Sequence, residues 1–297
     1  MSLVATLISN PNDPALDSTA IDAACAILPP SAKPSWLFDE VAADITFSSD
    51  EDPRAIAERL RQARGDLPID IVVQPEATRR KKLFLADMDS TMIGQECIDE
   101  LADFAGLKAH VSAITERAMR GEIAFEPALR ERVALLKGLP AKVVDEVLEK
   151  RITLTPGGTA LVRTMRAHGA YTCLISGGFT VFTNRIAAMI GFQENRANTL
   201  LVDGDTFTGQ VAEPIVGRET KLATLLELRE SFDVDAVDTL VVGDGANDLG
   251  MIEAAGLGVA YRAKPKVAAA AGARIDHGDL TALLYAQGYK RSEFVTE

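Results

Sequence analysis

Short apolar runs, each stopped by a small polar or acidic cluster, recur through the last two thirds of the chain. Residues 83–87 lead into Met88-Asp89-Ser90-Thr91. Residues 171–176 end at Ser176-Gly177-Gly178, and residues 239–243 lead into Asp244-Gly245-Ala246-Asn247-Asp248. A fourth run covers 257–261. Nearly continuous apolar runs bounded by turn residues read as strands buried on both faces. The stretches 159–168, 180–190, 219–231 and 250–255 carry apolar positions at helical spacing. Strands alternating with helices predict an α/β fold, a parallel sheet with helices on both faces. Ligands of such sheets bind beyond the C-terminal strand ends, where Asp87, Ser176 and Asp244 fall.

Two further patterns frame this sheet. Residues 93–153 form a long insertion after the first strand, with amphipathic stretches at 96–104, 111–120, 126–137 and 141–151. They predict a small helical bundle that caps the site. Around Gly204 and Gly209, residues 199–202 and 207–211 predict a β-hairpin flap. Residues 1–76 read differently: strand 3–8, helix 17–28, strands 35–38 and 42–47, a helix from Ser49 to about Arg64, strand 69–73. Asp17 or Ser18 would cap the first helix and Pro29-Pro30 would end it, while Pro53 suits the first turn of the second. That order predicts a small α+β domain of ferredoxin-like or ACT-like topology. The expected division is 1–76 and 77–297, with Arg79-Arg80-Lys81-Lys82 as a solvated linker.

Composition adds limits. A chain of 297 residues can bury real cores in two domains. The net charge of −12 argues against general affinity for nucleic acid or anionic membranes, though not against a small anionic substrate in a cleft with its own cations. Cys25, Cys97 and Cys173 are scattered and odd in number, so no disulfide framework is expected. With neither a leader-like pattern at Met1 nor an apolar stretch of spanning length, the expected location is cytoplasmic.

The strand-end residues suggest chemistry. Asp87 reads either as a turn residue or metal ligand, or as a carboxylate nucleophile that accepts a phosphoryl group. Asp89 would then serve as general acid and base. Asp244 and Asp248 either cap their own turn or, facing Asp87, supply hard oxygen ligands and support for Mg2+. Ser176 and the backbone N–H groups that follow it can hold phosphate oxygens.

Asp87-Met88-Asp89-Ser90-Thr91, Ser176-Gly177-Gly178, Lys221 and Gly243-Asp244-Gly245-Ala246-Asn247-Asp248 stand in the order and context of the haloacid dehalogenase (HAD) superfamily, which the chain resembles. Within it, Gly94-Gln95-Glu96-Cys97-Ile98-Asp99-Glu100 and residues 119–136 resemble the phosphoserine phosphatases, over about 83–290. The resemblance implies a HAD-like Rossmannoid sheet, Asp87 as nucleophile and Asp89 as acid and base. It implies Mg2+ on Asp87, the Asp89 backbone carbonyl and Asp244. Phosphate would rest on Ser176, Gly177 and Lys221, with Asn247 and Asp248 in support. The implied substrate is O-phospho-L-serine, in the last step of L-serine biosynthesis. Arg132 would take its carboxylate and Glu96 its ammonium, while Met119 and Phe125 exclude water. No nucleic-acid or membrane partner is implied, and a homodimer is left open.

Overall fold

The computed structural model describes residues 1–119 and 122–296. The N-terminal pattern folds as β1 (Ser2–Ser9), α1 (Ser18–Ile27), β2 (Lys33–Phe38), β3 (Ala42–Ser48), α2 (Pro53–Ala63) and β4 (Ile69–Pro75). The Asp17 carboxylate accepts the Ala20 N–H at 2.8 Å and starts α1. Asp52 does the same for α2 through Arg54 N–H at 3.0 Å, with Pro53 in its first turn. The strands pair antiparallel in the order β2-β3-β1-β4, the ferredoxin-like arrangement. Alternation along each strand splits the side chains. Leu3, Ala5, Leu7, Ile45, Ile71 and Val73 pack under the two helices, while Ile8, Val72 and Ala42 face the rest of the molecule.

Beyond it come β5 (Leu83–Ala86), α3 (Cys97–Phe104), α4 (Lys108–Met119), α5 (Phe125–Ala134), α6 (Val143–Lys150), α7 (Gly158–Ala167), β6 (Tyr171–Phe179), α8 (Thr180–Ile190) and β7 (Glu194–Asn198). A hairpin follows, β8 (Leu200–Asp203) and β9 (Thr206–Val211), then α9 (Arg218–Ser231), β10 (Thr239–Gly243), α10 (Leu249–Ala254), β11 (Leu257–Tyr261), α11 (Pro265–Ala270), β12 (Ala273–Ile275) and α12 (Ala282–Ala286). Six parallel strands lie in the order β12-β11-β10-β5-β6-β7. The period of two buries β5 on both faces. Phe84 and Ala86 join Leu161, Met165, Phe182 and Ile186 from α7 and α8. Leu83 and Leu85 join Leu225, Leu228, Ile252 and Val267 from α9, α10 and α11. The chain leaves β5 toward β6 on one side and later returns to β10 on the other. A crevice therefore opens at the C-terminal ends of β5 and β10.

The cap grows from that crevice. Ile93 bridges Leu154, and Gly94 N–H donates to Thr153 O at 3.0 Å, so the two crossings into α3–α6 run side by side. The hairpin docks on the cap: Gly138 N–H donates to Phe207 O at 2.8 Å and Ala141 N–H to Asp205 O at 2.8 Å. Some expected and observed elements differ. Ser176-Gly177-Gly178 continues β6 as extended backbone, with a register shift between Ile175 and Phe179, where a turn was expected. The edge strands β7 and β12 were not anticipated. The expected helix end at Arg120 lies outside the described residues. Residues 79–82 are a solvated linker only in part: Arg80 and Lys82 are exposed, but Lys81 is buried, Arg79 pairs with buried Asp44 at 2.6 Å, and Arg80 lies 3.6 Å over the Tyr289 ring. This segment is held because the N-terminal sheet packs on α12, where Gln74 Nε2 donates to Ala286 O at 2.8 Å.

Candidate active site

The apolar sequence of β5 delivers Asp87 to the crevice, where its backbone N–H donates to Val242 O of β10 at 3.0 Å. Asp89 follows on a tight loop. Ser90 there has φ 56°, a left-handed conformation uncommon for a residue with a Cβ. The bend is held by Ser90 N–H to Gln95 O at 3.2 Å and Ser90 Oγ to Glu96 Oε1 at 2.7 Å. It turns the Asp89 carboxylate toward the N-terminus of α3, where Oδ1 accepts Cys97 N–H at 3.1 Å.

Lys221 of α9 is wholly buried beneath the crevice. Its ammonium donates to Asp87 Oδ1 at 2.6 Å and to Asp248 Oδ1 at 2.7 Å. Asp248 spends its second oxygen on Gly245 N–H at 3.0 Å, so it serves lysine and turn together. Gly243 is required here, since a Cβ on it would stand 2.5 Å from Asp248 Cγ. A buried ammonium needs such partners. Desolvation works against the charge on Lys221, but Asp248 and Asp87 outweigh it and raise its pKa.

Buried and half-buried acids crowd the same place. Burial, then Asp248, push the Asp87 carboxyl upward against the pull of Lys221. Burial, then Asp248 and Glu96, raise Asp244 to about 6. Burial, then Glu96, raise Asp89 to about 7 against the Cys97 hydrogen bonds. Carboxylate oxygens of Asp87, Asp244 and Asp248 lie within 4.8 Å of one another. Three carboxylates around one lysine leave an excess of negative charge, and every donor is a hard oxygen. The set fits a small divalent cation.

Asp87, Asp89, Glu96, Phe125, Arg132, Ser176, Gly177, Asp244 and Asn247, all singled out from sequence, line one cleft of about 660 Å³. Lys221 and Asp248 sit under its floor. Met119 closes α4, but its side chain lies outside the described residues. Ser176 is buried, and its Oγ accepts Gly178 N–H at 2.8 Å. The Phe125 ring, 37% exposed, hangs from the cap over Gly177, where a Cβ would stand 3.2 Å from its Cζ. Arg132 of α5 is half-buried. It donates to Thr115 Oγ1 and to Ala128 O, each at 3.3 Å. Burial pushes its pKa down, against the acids Asp99, Glu96 and Asp89.

The cleft also contains residues that sequence reasoning missed: Asp99, Thr115, Arg218, Lys264 and Lys266. Lys264 follows the fourth apolar run, so the strand-end argument applied to 257–261 would have found it. Thr115 and Arg218 carry no comparable signal, because each is a polar residue on a helix.

A family model described as haloacid dehalogenase-like hydrolase matches residues 84–253, more than half of the chain. A phosphoserine phosphatase of Archaeoglobus fulgidus is 43% identical over 215 residues, 72% of this chain and 62% of that protein. The phosphoserine phosphatase of Saccharomyces cerevisiae is 36% identical over 264 residues, 89% of this chain and 84% of that protein. Among solved structures, a probable phosphoserine phosphatase from Vibrio cholerae superposes with a TM-score of 0.78 at 30% identity, covering 98% of this chain and 88% of that one. Among the described residues no helix is long and apolar enough to cross a membrane. With this sheet, this cap and these strand-end residues, the chain belongs to the haloacid dehalogenase-like hydrolases, alongside relatives that are phosphoserine phosphatases.

Proposed function

We propose that the protein is a Mg2+-dependent phosphoserine phosphatase, hydrolysing O-phospho-L-serine to L-serine and phosphate through an aspartyl-phosphate on Asp87. The observation that carries this reading is the convergence of Asp87, Asp89, Ser176 and Asp244 on one cleft above a buried lysine 2.6 Å from Asp87. That combination suits an anionic phosphoryl group meeting an anionic nucleophile.

In the first half-reaction an Asp87 oxygen attacks phosphorus, and the bond from phosphorus to the serine oxygen breaks. Asp89 gives its proton to the departing oxygen; its carboxyl sits near 7, so both protonation states are accessible at neutral pH. In the second half-reaction Asp89 takes a proton from water. The water oxygen attacks phosphorus, the bond to Asp87 breaks, and phosphate leaves. Lys221 fixes one Asp87 oxygen and contributes positive charge. Ser176, the Gly177 backbone and Asn247 take the phosphate oxygens. Mg2+ held by Asp87, Asp244 and the Asp89 backbone carbonyl would act as a Lewis acid on the phosphoryl group. In the same cleft, Arg132 takes the substrate carboxylate and Glu96 its ammonium. Phe125 closes the apolar side.

The natural working unit in this reading is 77–297, with a cap over 93–153, and 1–76 is a separate ACT-like domain that takes no part in bond breaking. The role is the final step of L-serine synthesis in the cytoplasm. Acid quenching during turnover of 32P-labelled phosphoserine tests the chemistry. Label bound to wild type as an alkali-labile acyl phosphate, and lost with all turnover in Asp87→Asn, is the expected result. Sustained turnover by Asp87→Asn would sink the nucleophile assignment.

A further inference from the structure

Asn198 ends the polar edge strand β7, yet its side chain is buried, with 1% of the residue exposed. All three of its hydrogen bonds go to backbone. Nδ2 donates to Gly177 O at 2.8 Å and to Val216 O at 3.1 Å, and Oδ1 accepts Val216 N–H at 2.7 Å. The carboxamide thus uses both of its donors and its acceptor.

These bonds join two parts of the cleft. The Gly177 carbonyl shares a peptide plane with Gly178 N–H, which donates to Ser176 Oγ at 2.8 Å. Asn198 and Ser176 therefore grip that plane from opposite edges. Val216 precedes Gly217, the residue that caps α9, and Lys221 N–H donates to Gly217 O at 3.0 Å. One side chain ties the Ser176-Gly177-Gly178 segment to the base of the helix that carries Lys221.

The same two segments form a seat for the cap. A Cβ on Gly177 would lie 3.2 Å from Phe125 Cζ, and one on Gly217 would lie 3.4 Å from Phe125 Cδ1 and Cε1. The ring rests on both glycines, and Asn198 holds those glycines together.

We infer that Asn198 is a positioning residue that sets the spacing between the phosphate-holding segment and Lys221, and fixes the seat on which Phe125 closes. The inference rests on the phosphatase reading above. It assigns Asn198 no contact with substrate. Its effect runs through the backbone of Gly177 and Val216.

The test uses Asn198→Asp and Asn198→Ala in the full chain, each alone and combined with Phe125→Ala. Asn198→Asp keeps the shape and the bond to Val216 N–H but loses both donors. Asn198→Ala loses all three bonds, and it carries the comparison if the buried aspartate prevents folding. Thermal unfolding establishes that each variant is folded. Steady-state phosphate release from O-phospho-L-serine with Mg2+ gives kcat and KM. Displacing catalytic groups by about 1 Å costs on the order of 100-fold, so the expected result is a fall in kcat approaching that size in a folded variant. Phe125→Ala should raise KM in the wild-type background and do so much less beside Asn198→Ala, a departure from multiplicative behaviour of about threefold or more. Folded Asn198 variants with kcat within about twofold of wild type, or a Phe125→Ala effect unchanged in their background, overturn the inference. A purely structural role would lower the melting temperature and leave this coupling at unity. A wild-type protein that releases no phosphate overturns the functional reading itself, an outcome distinct from active wild type with indifferent Asn198 variants.

Discussion

Gly178→Ala is a small change aimed at Asp89, the acid and base of the proposed reaction. Gly178 does not have a left-handed φ, so alanine fits the backbone. The added methyl carbon would lie 2.8 Å from Asp89 Oδ2, 3.0 Å from Ser176 Oγ and 3.4 Å from Met88 Cε. Ordinary contact begins at 3.4 Å, so Asp89 must recede by 3.4 − 2.8 = 0.6 Å. Its other oxygen is tied to Cys97 N–H at 3.1 Å, and the movement strains that bond. A shift of this size should lower kcat by on the order of tenfold or more, while the fold loses about 1–3 kcal/mol. Gly177→Ala is the control. Its methyl would approach Phe125 Cζ at 3.2 Å, a cap side chain able to yield by a few tenths of an ångström, so the cost falls on KM. Phosphate release by the two variants, measured side by side with thermal unfolding, separates them. Wild-type kcat in Gly178→Ala, or a larger kcat loss in Gly177→Ala, would refute the reasoning.

Two more outcomes follow from other groups. Arg132→Ala should reduce kcat/KM for O-phospho-L-serine by about 100-fold, from one lost charge-assisted pair. It should change phosphoethanolamine, which lacks the carboxylate, far less; equal losses on both would remove Arg132 from substrate recognition. Lys81 lies away from the cleft, its ammonium buried against Thr78 O and Val237 O at 2.7 Å each. Burial lowers its pKa from 10.5 to about 8, so between those values the unfolded chain binds more protons than the folded one. The contribution of Lys81 to stability is then complete above about 10.5 and is lost as pH falls through about 8. The shift corresponds to about 3 kcal/mol. Urea unfolding of wild type and Lys81→Met at pH 7.5 and 10.5 should show wild type gaining about that much on the variant; parallel pH dependences would contradict the burial argument.

How much of this was legible follows from what each residue packs against. β5, β6 and β10 are buried on both faces, so their apolar runs announce them, and the polar residues at their ends mark the crevice. β7 escaped notice because it is a polar edge strand. Arg196 pairs with Glu194 and Glu227, and Asn195 accepts from Thr183 Oγ1 at 2.6 Å, so no apolar pattern marks it. Asn198 was hidden with it. Ser176-Gly177-Gly178 suggested a turn, as paired glycines do. The backbone there is extended, and Gly178 makes room for Asp89 and Ser176 rather than allowing a reversal of the chain. Lys221 drew attention only through a resemblance, since nothing in its helix announces burial. Asp87 and Asp248, 134 and 27 residues away, make that burial tolerable. The packing of 2–75 on the rest was equally hidden. Asp70 accepts N–H groups of Asp276 and Gly278 at 2.8 and 2.7 Å, donors more than 200 residues distant that no local pattern reveals.

The central claim is metal-dependent hydrolysis of a phosphomonoester carrying both a carboxylate and an ammonium. Phosphate release from O-phospho-L-serine with Mg2+, run beside the same assay in EDTA and beside phosphoethanolamine, tests it most directly. The account predicts rapid release from phosphoserine, loss of that release in EDTA, and little release from phosphoethanolamine. Equal release from both substrates, or release untouched by EDTA, would contradict it.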